Sequence, residues 1–254
     1  MKKIALITGG ARGIGQAISS VLLKDTAMMI LIDKAEKELT QTVEELKKLN
    51  QNVKGVHLDL NDNKYLEKVI NEILVEYKYV NILINNAGIG SGVNPKMIHE
   101  YDDDFWEISL QINLTIPYIL SKCFLPGMIK KKWGRIINIA SVAGKTGFKY
   151  GGAYCASKHG LIGLTKTIAL EVAQHGITVN AICPGPIDTT MLRNRLKFEL
   201  SGSSSTMAIL EKGSNAIGRF IQPEEVANLV YYLSLEKSGA ITGEALNISG
   251  GIRL

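Results

Sequence analysis

The sequence has few cysteines, few prolines and no long apolar run, and each shortage removes a class of protein. Cys123, Cys155 and Cys183 are odd in number, far apart and without paired spacing, which leaves neither a disulfide framework nor a metal site built on cysteine. A reducing, cytoplasmic setting is expected. Six prolines are scattered over 254 residues, and no composition break, low-complexity tract or repeat divides the chain, so one domain is expected. No window approaches the ~18 uninterrupted apolar residues of a membrane span. The start, MKKIALITGG, offers only four apolar residues before Thr8 and reads as a first strand, not a signal peptide. No block of like charge exceeds the three lysines at 130 to 132, and the net charge of +5 is dispersed instead of gathering with aromatics. Neither nucleic acid nor a membrane is an expected partner.

What is present is an alternation. Seven short apolar runs, at 3–8, 27–32, 52–58, 81–85, 135–140, 178–183 and 244–249, are separated by longer segments of helical period. Leu66, Val69, Ile70, Ile73, Leu74 and Tyr77 form one helical stripe, with Asp62 placed to cap it, and Leu39, Val43 and Leu46 form another. Most of the strands are apolar at nearly every position, as strands covered on both faces are. The fold class is doubly wound α/β with a seven-stranded parallel sheet.

In such a sheet ligands bind beyond the carboxyl ends of the strands. After the first strand, TGGARGIG places glycines at 9, 13 and 15, a loop able to approach a pyrophosphate at the N-terminus of the next helix. The spacing is not the literal G-x-G-x-x-G, and a plain strand-to-helix turn would use glycine too. Asp33 ends the second strand 18 residues beyond Gly15, where an acidic side chain can accept from ribose hydroxyls. Asp59 and Leu60 follow the third strand; Asn85, Asn86, Ala87 and Gly88 end the fourth; Ser141 ends the fifth. Tyr154 and Lys158, four apart, share a helix face at this rim. Each signal also has an ordinary structural reading: a solvated turn, a backbone cap or a helix surface.

Their order resembles the short-chain dehydrogenase/reductase family over the whole chain, from TGGARGIG through NNAG, Asn113, Ser141, the Tyr154/Lys158 pair and Pro184-Gly185 to Thr189 and NISGG. The nearest likeness is to carrier-protein ketoacyl reductases, polyketide ketoreductases and secondary alcohol dehydrogenases. The resemblance implies a Rossmann-like fold, a homotetramer, a nicotinamide cofactor, and a ketone or secondary alcohol as the small-molecule substrate. It implies Asn113, Ser141, Tyr154 and Lys158 as catalytic residues: Tyr154 as general acid/base, Ser141 bonding the substrate oxygen, Asn113 in a proton relay. It implies Gly9, Arg12, Gly13, Ile14, Gly15, Asp33, Asp59, Leu60, Asn86, Ala87, Gly88, Tyr154, Lys158, Pro184, Gly185, Ile187 and Thr189 around the cofactor. No metal is expected. A catalytically silent nucleotide sensor would not need all four catalytic positions.

Reducing a ketone puts charge on its oxygen, where a proton must arrive. Moving a tyrosine from a pKa near 10 toward 7 takes about 4 kcal/mol, and a cation at about 4 Å supplies on the order of 4 kcal/mol at an effective dielectric near 20. NAD(H) is expected over NADP(H), because Asp33 would repel a 2′-phosphate more strongly than the flexible Arg12 and Lys34 attract it. The related carrier-protein reductases dock their acidic carrier with arginines at positions matching Lys132 and His175, and neither is arginine here. Residues 189–220 are expected to cover the substrate as a lid, and Arg193, Arg195 and Lys197 on it read more readily as solvated than as ligands of an anion. Residues 105–130 and 154–175 are expected as long helices carrying the subunit interface.

Overall fold

The computed structural model describes residues 3–91, 95–193 and 215–252. All seven expected strands form: β1 (Ile4–Thr8), β2 (Met28–Asp33), β3 (Val53–His57), β4 (Ile82–Asn85), β5 (Gly134–Ile139), β6 (Ile177–Pro184) and β7 (Ala245–Ile248). They make one sheet in the order β3-β2-β1-β4-β5-β6-β7, with every pairing parallel. The helices among the described residues are α1 (Gly13–Leu22), α2 (Glu36–Lys47), α3 (Asn63–Tyr77), α4 (Asp103–Leu110), α5 (Ile116–Lys131), α6 (Gly152–Val172) and α7 (Pro223–Leu233).

Strand side chains explain the continuous apolar runs. In β1, Ala5 and Ile7 join the core under α1, α2 and α7, whereas Leu6 joins the core under α3 and α5. Met29 and Leu31 of β2 likewise face one layer and Ile30 and Ile32 the other. The expected helical stripes lie inward: Leu39, Val43 and Leu46 in α2, and Leu66, Val69, Ile70 and Ile73 in α3. Asp62 caps α3 as expected, its Oδ1 accepting from the Tyr65 N–H at 3.0 Å.

Residues 103–131 form 29 residues of unbroken helix, long and apolar enough on those grounds to span a bilayer. Its stripe of Ile112, Ile116, Leu120, Phe124 and Met128 belongs to the core against the sheet. A π turn at Gln111–Thr115 widens it between α4 and α5.

The strand order reverses direction between β1 and β4, so the crevice of the sheet opens where the chain leaves those two strands. TGGARGIG and NNAG, far apart in sequence, face each other there.

Candidate active site

On the β1 side, Gly9 and Gly13 take the left-handed conformations of φ +65° and +56°, which side chains rarely adopt. A Cβ on Gly15 would lie 1.9 Å from the Gly9 carbonyl oxygen, so the turn cannot close around any other residue. The loop is tied to NNAG: the Asn86 amide donates to the carbonyls of Thr8 (3.0 Å) and Gly9 (2.9 Å), and Thr8 Oγ1 accepts from the N–H groups of Asn86 and Ala87, both at 3.1 Å. Arg12 occupies the N-cap of α1, and its side chain makes no capping hydrogen bond to the first turn. An uncapped ten-residue helix start behind left-handed glycines is a fitting seat for a pyrophosphate. Ile14 packs on the core beneath it.

Asp33 closes the far wall. Its Oδ2 accepts from the Ala11 N–H at 3.0 Å and its Oδ1 from the Ala35 N–H at 2.9 Å, so the carboxylate fastens the glycine loop to the end of β2. The two nearby cations have acidic neighbours: Arg12 lies 3.8 Å from Glu38 and Lys34 lies 3.9 Å from Asp59. Asp59 also accepts from the Asn61 N–H, while Leu60 is buried.

Helix α6 forms the other half of the site. Lys158 is only 4% exposed, and its Nζ donates to the Ile139 carbonyl at 2.7 Å, at the end of β5. Burial lowers its pKa to about 8, so the ammonium still predominates at pH 7. Nζ lies 5.8 Å from the centre of the half-buried Tyr154 ring, which in turn has the Phe148 ring 6.3 Å away. Ser141 caps a short 3-10 turn, its Oγ accepting from the Ala143 N–H at 3.1 Å. That turn is pressed onto α6, since a Cβ on Gly144 would lie 2.7 Å from the Lys158 carbonyl oxygen. Asn113 sits in the π turn, fully buried. Its Oδ1 accepts from the Ile89 N–H (2.9 Å) and its amide donates to the Ile89 carbonyl (3.0 Å) and to Ser157 Oγ (3.1 Å). Gly88 is where the two halves meet: a Cβ there would lie 3.1 Å from Asn113 Oδ1 and 3.6 Å from Lys158 Nζ.

Beyond β6, Pro184 ends the strand and the Gly185 N–H donates to the Ile248 carbonyl. Ile187 is buried and pairs with Ile221 in a parallel bridge, so the two ends of the expected lid are joined. Thr189 reaches back to the glycine loop, its Cγ2 standing 3.4 Å from where a Gly13 Cβ would be. Arg193 pairs with Asp188, at 2.9 Å from Nη2, and remains exposed. Arg195, Lys197 and most of the expected lid lie outside the described residues.

The structure thus brings the expected residues to one crevice and adds some that their sequence positions do not single out. Ser157, Ile139 and Phe148 touch Asn113, Lys158 and Tyr154 respectively. Ser157 is adjacent to Lys158 in sequence, but nothing in its type announces that contact; the Ile139 contribution is a backbone carbonyl and has no side-chain signal at all.

The short chain dehydrogenase family model matches residues 3–200. Granaticin polyketide synthase putative ketoacyl reductase 1 of Streptomyces violaceoruber is 38% identical, over 99% of this chain and 93% of its own length. The 3-oxoacyl-acyl-carrier-protein reductase FabG of Escherichia coli is 37% identical, over 98% and 97%. A tryptophan variant of actinorhodin polyketide ketoreductase, crystallised with NADPH, superposes with a TM-score of 0.90 at 35% identity, covering 99% of this chain and 97% of that one. This chain belongs to the short-chain dehydrogenase family, and it is an oxidoreductase of that class that uses a nicotinamide cofactor.

Proposed function

We propose that the protein interconverts a ketone and a secondary alcohol with NAD(H), using Tyr154 as the general acid/base. The observation that carries this reading is Lys158: an ammonium buried at the end of β5 beside Tyr154, with Ser141 on the turn pressed against the same helix. Burying a charge is unfavourable unless it is used or compensated, and one carbonyl compensates only part of it.

The nicotinamide, when bound, supplies or takes the hydride. Tyr154 gives the proton to the substrate oxygen in reduction and removes it in oxidation, and the Ser141 hydroxyl bonds that oxygen as charge grows on it. Lys158 Nζ, 5.8 Å from the Tyr154 ring centre, favours the tyrosinate over the neutral phenol. The positive charge of an oxidised nicotinamide would act in the same direction. The Asn113 amide is already engaged by Ile89 and Ser157, so a proton relay through this residue has only its backbone to use. Tyr154→Phe is expected to lower kcat at least 100-fold while coenzyme Kd changes less than about threefold. Retention of more than a tenth of the turnover overturns the assignment.

For the cofactor, Asp33 supports NAD(H), since a 2′-phosphate would meet a carboxylate held in place by two backbone N–H groups. The opposing cations Arg12 and Lys34 are exposed and already have acidic neighbours. The names of the relatives favour a second reading, reduction of a carrier-bound 3-oxoacyl thioester. Lys132 and His175, the positions matched to carrier docking, precede the starts of β5 and β6, about 20 Å from the strand ends where Ser141 sits. A comparison of kcat/KM for an acetoacetyl carrier protein and a simple acetoacetyl thioester separates the two; near equality is expected.

The assembly is proposed as a homotetramer through α5 and α6, whose outer surfaces leave Tyr118 half exposed and Leu170 86% exposed. Light scattering at micromolar concentration should give four times the mass of 27.7 kDa. Cys123, Cys155 and Cys183 form no disulfide, and the setting is proposed as reducing and cytoplasmic.

A further inference from the structure

A second polar chain crosses the sheet beneath the site and ends on the same helix. The Asn85 amide donates to Asn138 Oδ1 at 2.7 Å, the Asn138 amide donates to Thr165 Oγ1 at 2.8 Å, and the Thr165 hydroxyl donates to the Leu161 carbonyl at 2.7 Å. Asn138 and Thr165 are fully buried and Asn85 nearly so, with Asn85 Oδ1 left unpartnered among the described residues. The direction of the chain follows from its last member. A backbone carbonyl can only accept, so Thr165 must donate to it, Asn138 must present its amide to Thr165, and Asn85 must present its own to Asn138. The arrangement has one polarity, and the cost of satisfying it falls on Asn85 Oδ1.

An apolar contact between a helix and a sheet is non-directional and tolerates small slides and rotations. Hydrogen bonds between buried groups do not, because losing one leaves a desolvated donor or acceptor. Thr165 lies seven residues, two turns and about 10.5 Å along α6 from Lys158, on the same face. Both are fixed to neighbouring residues of β5, Thr165 through the Asn138 side chain and Lys158 through the Ile139 carbonyl. We propose that Asn138 and Thr165 are positioning residues that set the rotation and depth of α6, and through it the placement of Lys158 and Tyr154.

This inference rests on the assignment of Tyr154 and Lys158 as the acid/base pair. The titratable groups facing Lys158 are Tyr154, one turn back, and Cys183 on β6. Thr165→Val keeps the shape, removes the hydroxyl and strands the Asn138 amide; Thr165→Ser keeps the hydroxyl. With NADH and ethyl acetoacetate, Thr165→Val is expected to lower kcat about tenfold or more, in line with the ~100-fold that a 1 Å misplacement can cost. The inflection of its kcat against pH should move by at least half a unit, coenzyme KM should change less than twofold, and Thr165→Ser should restore both quantities to within twofold. A readout free of coenzyme and turnover is the pH dependence of unfolding between pH 8 and 10, which should flatten in Thr165→Val as Lys158 comes loose. If the valine variant does not fold, Thr165→Ala takes its place. A folded variant with unchanged kcat, pH profile and unfolding slope, or failure of serine to rescue, overturns the proposal. Tyr154→Phe, measured alongside, identifies the other route to failure. If that variant stays active, the acid/base assignment falls and this inference with it; if it is inactive while Thr165→Val behaves as the unmodified protein, only the positioning role falls.

Discussion

The two halves of the crevice are built differently. At the ends of β1 and β2 the structure is mostly backbone: left-handed glycines, an uncapped helix start and a carboxylate receiving two main-chain N–H groups. At the ends of β4 to β6 it is mostly side chain: Asn113, Ser157, Lys158, Asn138 and Thr165 converge from α6, β5 and the π turn. The first half fails when an atom is added, because space is what it lacks. The second fails when a polar atom is removed, because its buried groups depend on one another.

The largest contrast should come from Gly15→Ala. The added methyl meets the Gly9 carbonyl at 1.9 Å, backbone against backbone, and nothing flexible can give way. A loss of about 3 kcal/mol or more in urea unfolding is expected, with loss of coenzyme binding. A variant within 1 kcal/mol of the unmodified protein would show that the loop has slack.

A middle-sized effect tests the other half through Lys158. Its folded pKa of about 8 lies below the 10.5 of an unburied lysine. Between those values the unfolded chain holds more protons than the folded one, so stability rises with pH across that window. In the coenzyme-free protein the gain from pH 8 to 9.5 should be about 1.5 kcal/mol relative to Lys158→Met. Equal slopes for the two proteins would mean that Lys158 titrates like a surface lysine.

The smallest effect concerns Asp33. We expect the unmodified protein to favour NADH over NADPH at least tenfold in kcat/KM, about 1.4 kcal/mol, and Asp33→Ala to lose or reverse that preference. Because the substitution also frees the Ala11 and Ala35 N–H groups, the ratio of the two coenzymes is the quantity to compare, not either rate alone.

The same division explains what could be read from the sequence. All seven strands and the Asp62 cap were legible, since burial on both faces leaves continuous apolar runs and a cap is local. The tight glycine turn was legible as well, because its requirement is written in residue type, whereas the hold of Asp33 on the Ala11 and Ala35 N–H groups was not. The roles of Asn85, Asn138 and Thr165 were not, because each is an ordinary residue until three elements, 53 and 27 residues apart along the chain, are brought together. The distance from Lys158 to Tyr154 was also out of reach: helical spacing shows that two side chains share a face, not how far apart their ends settle.

The bridge between Ile187 and Ile221 has a consequence for how such a protein can change. Its parallel pairing is reinforced by the Asp188 N–H on the Ile221 carbonyl and the Ile221 N–H on the Pro186 carbonyl, so the two stretches flanking the intervening residues are held side by side. Whatever is inserted there meets a closure requirement already satisfied, and doubling its length adds only about 0.6 kcal/mol of entropy. The length and composition of that stretch can therefore vary while the sheet, the glycine loop and α6 remain as they are.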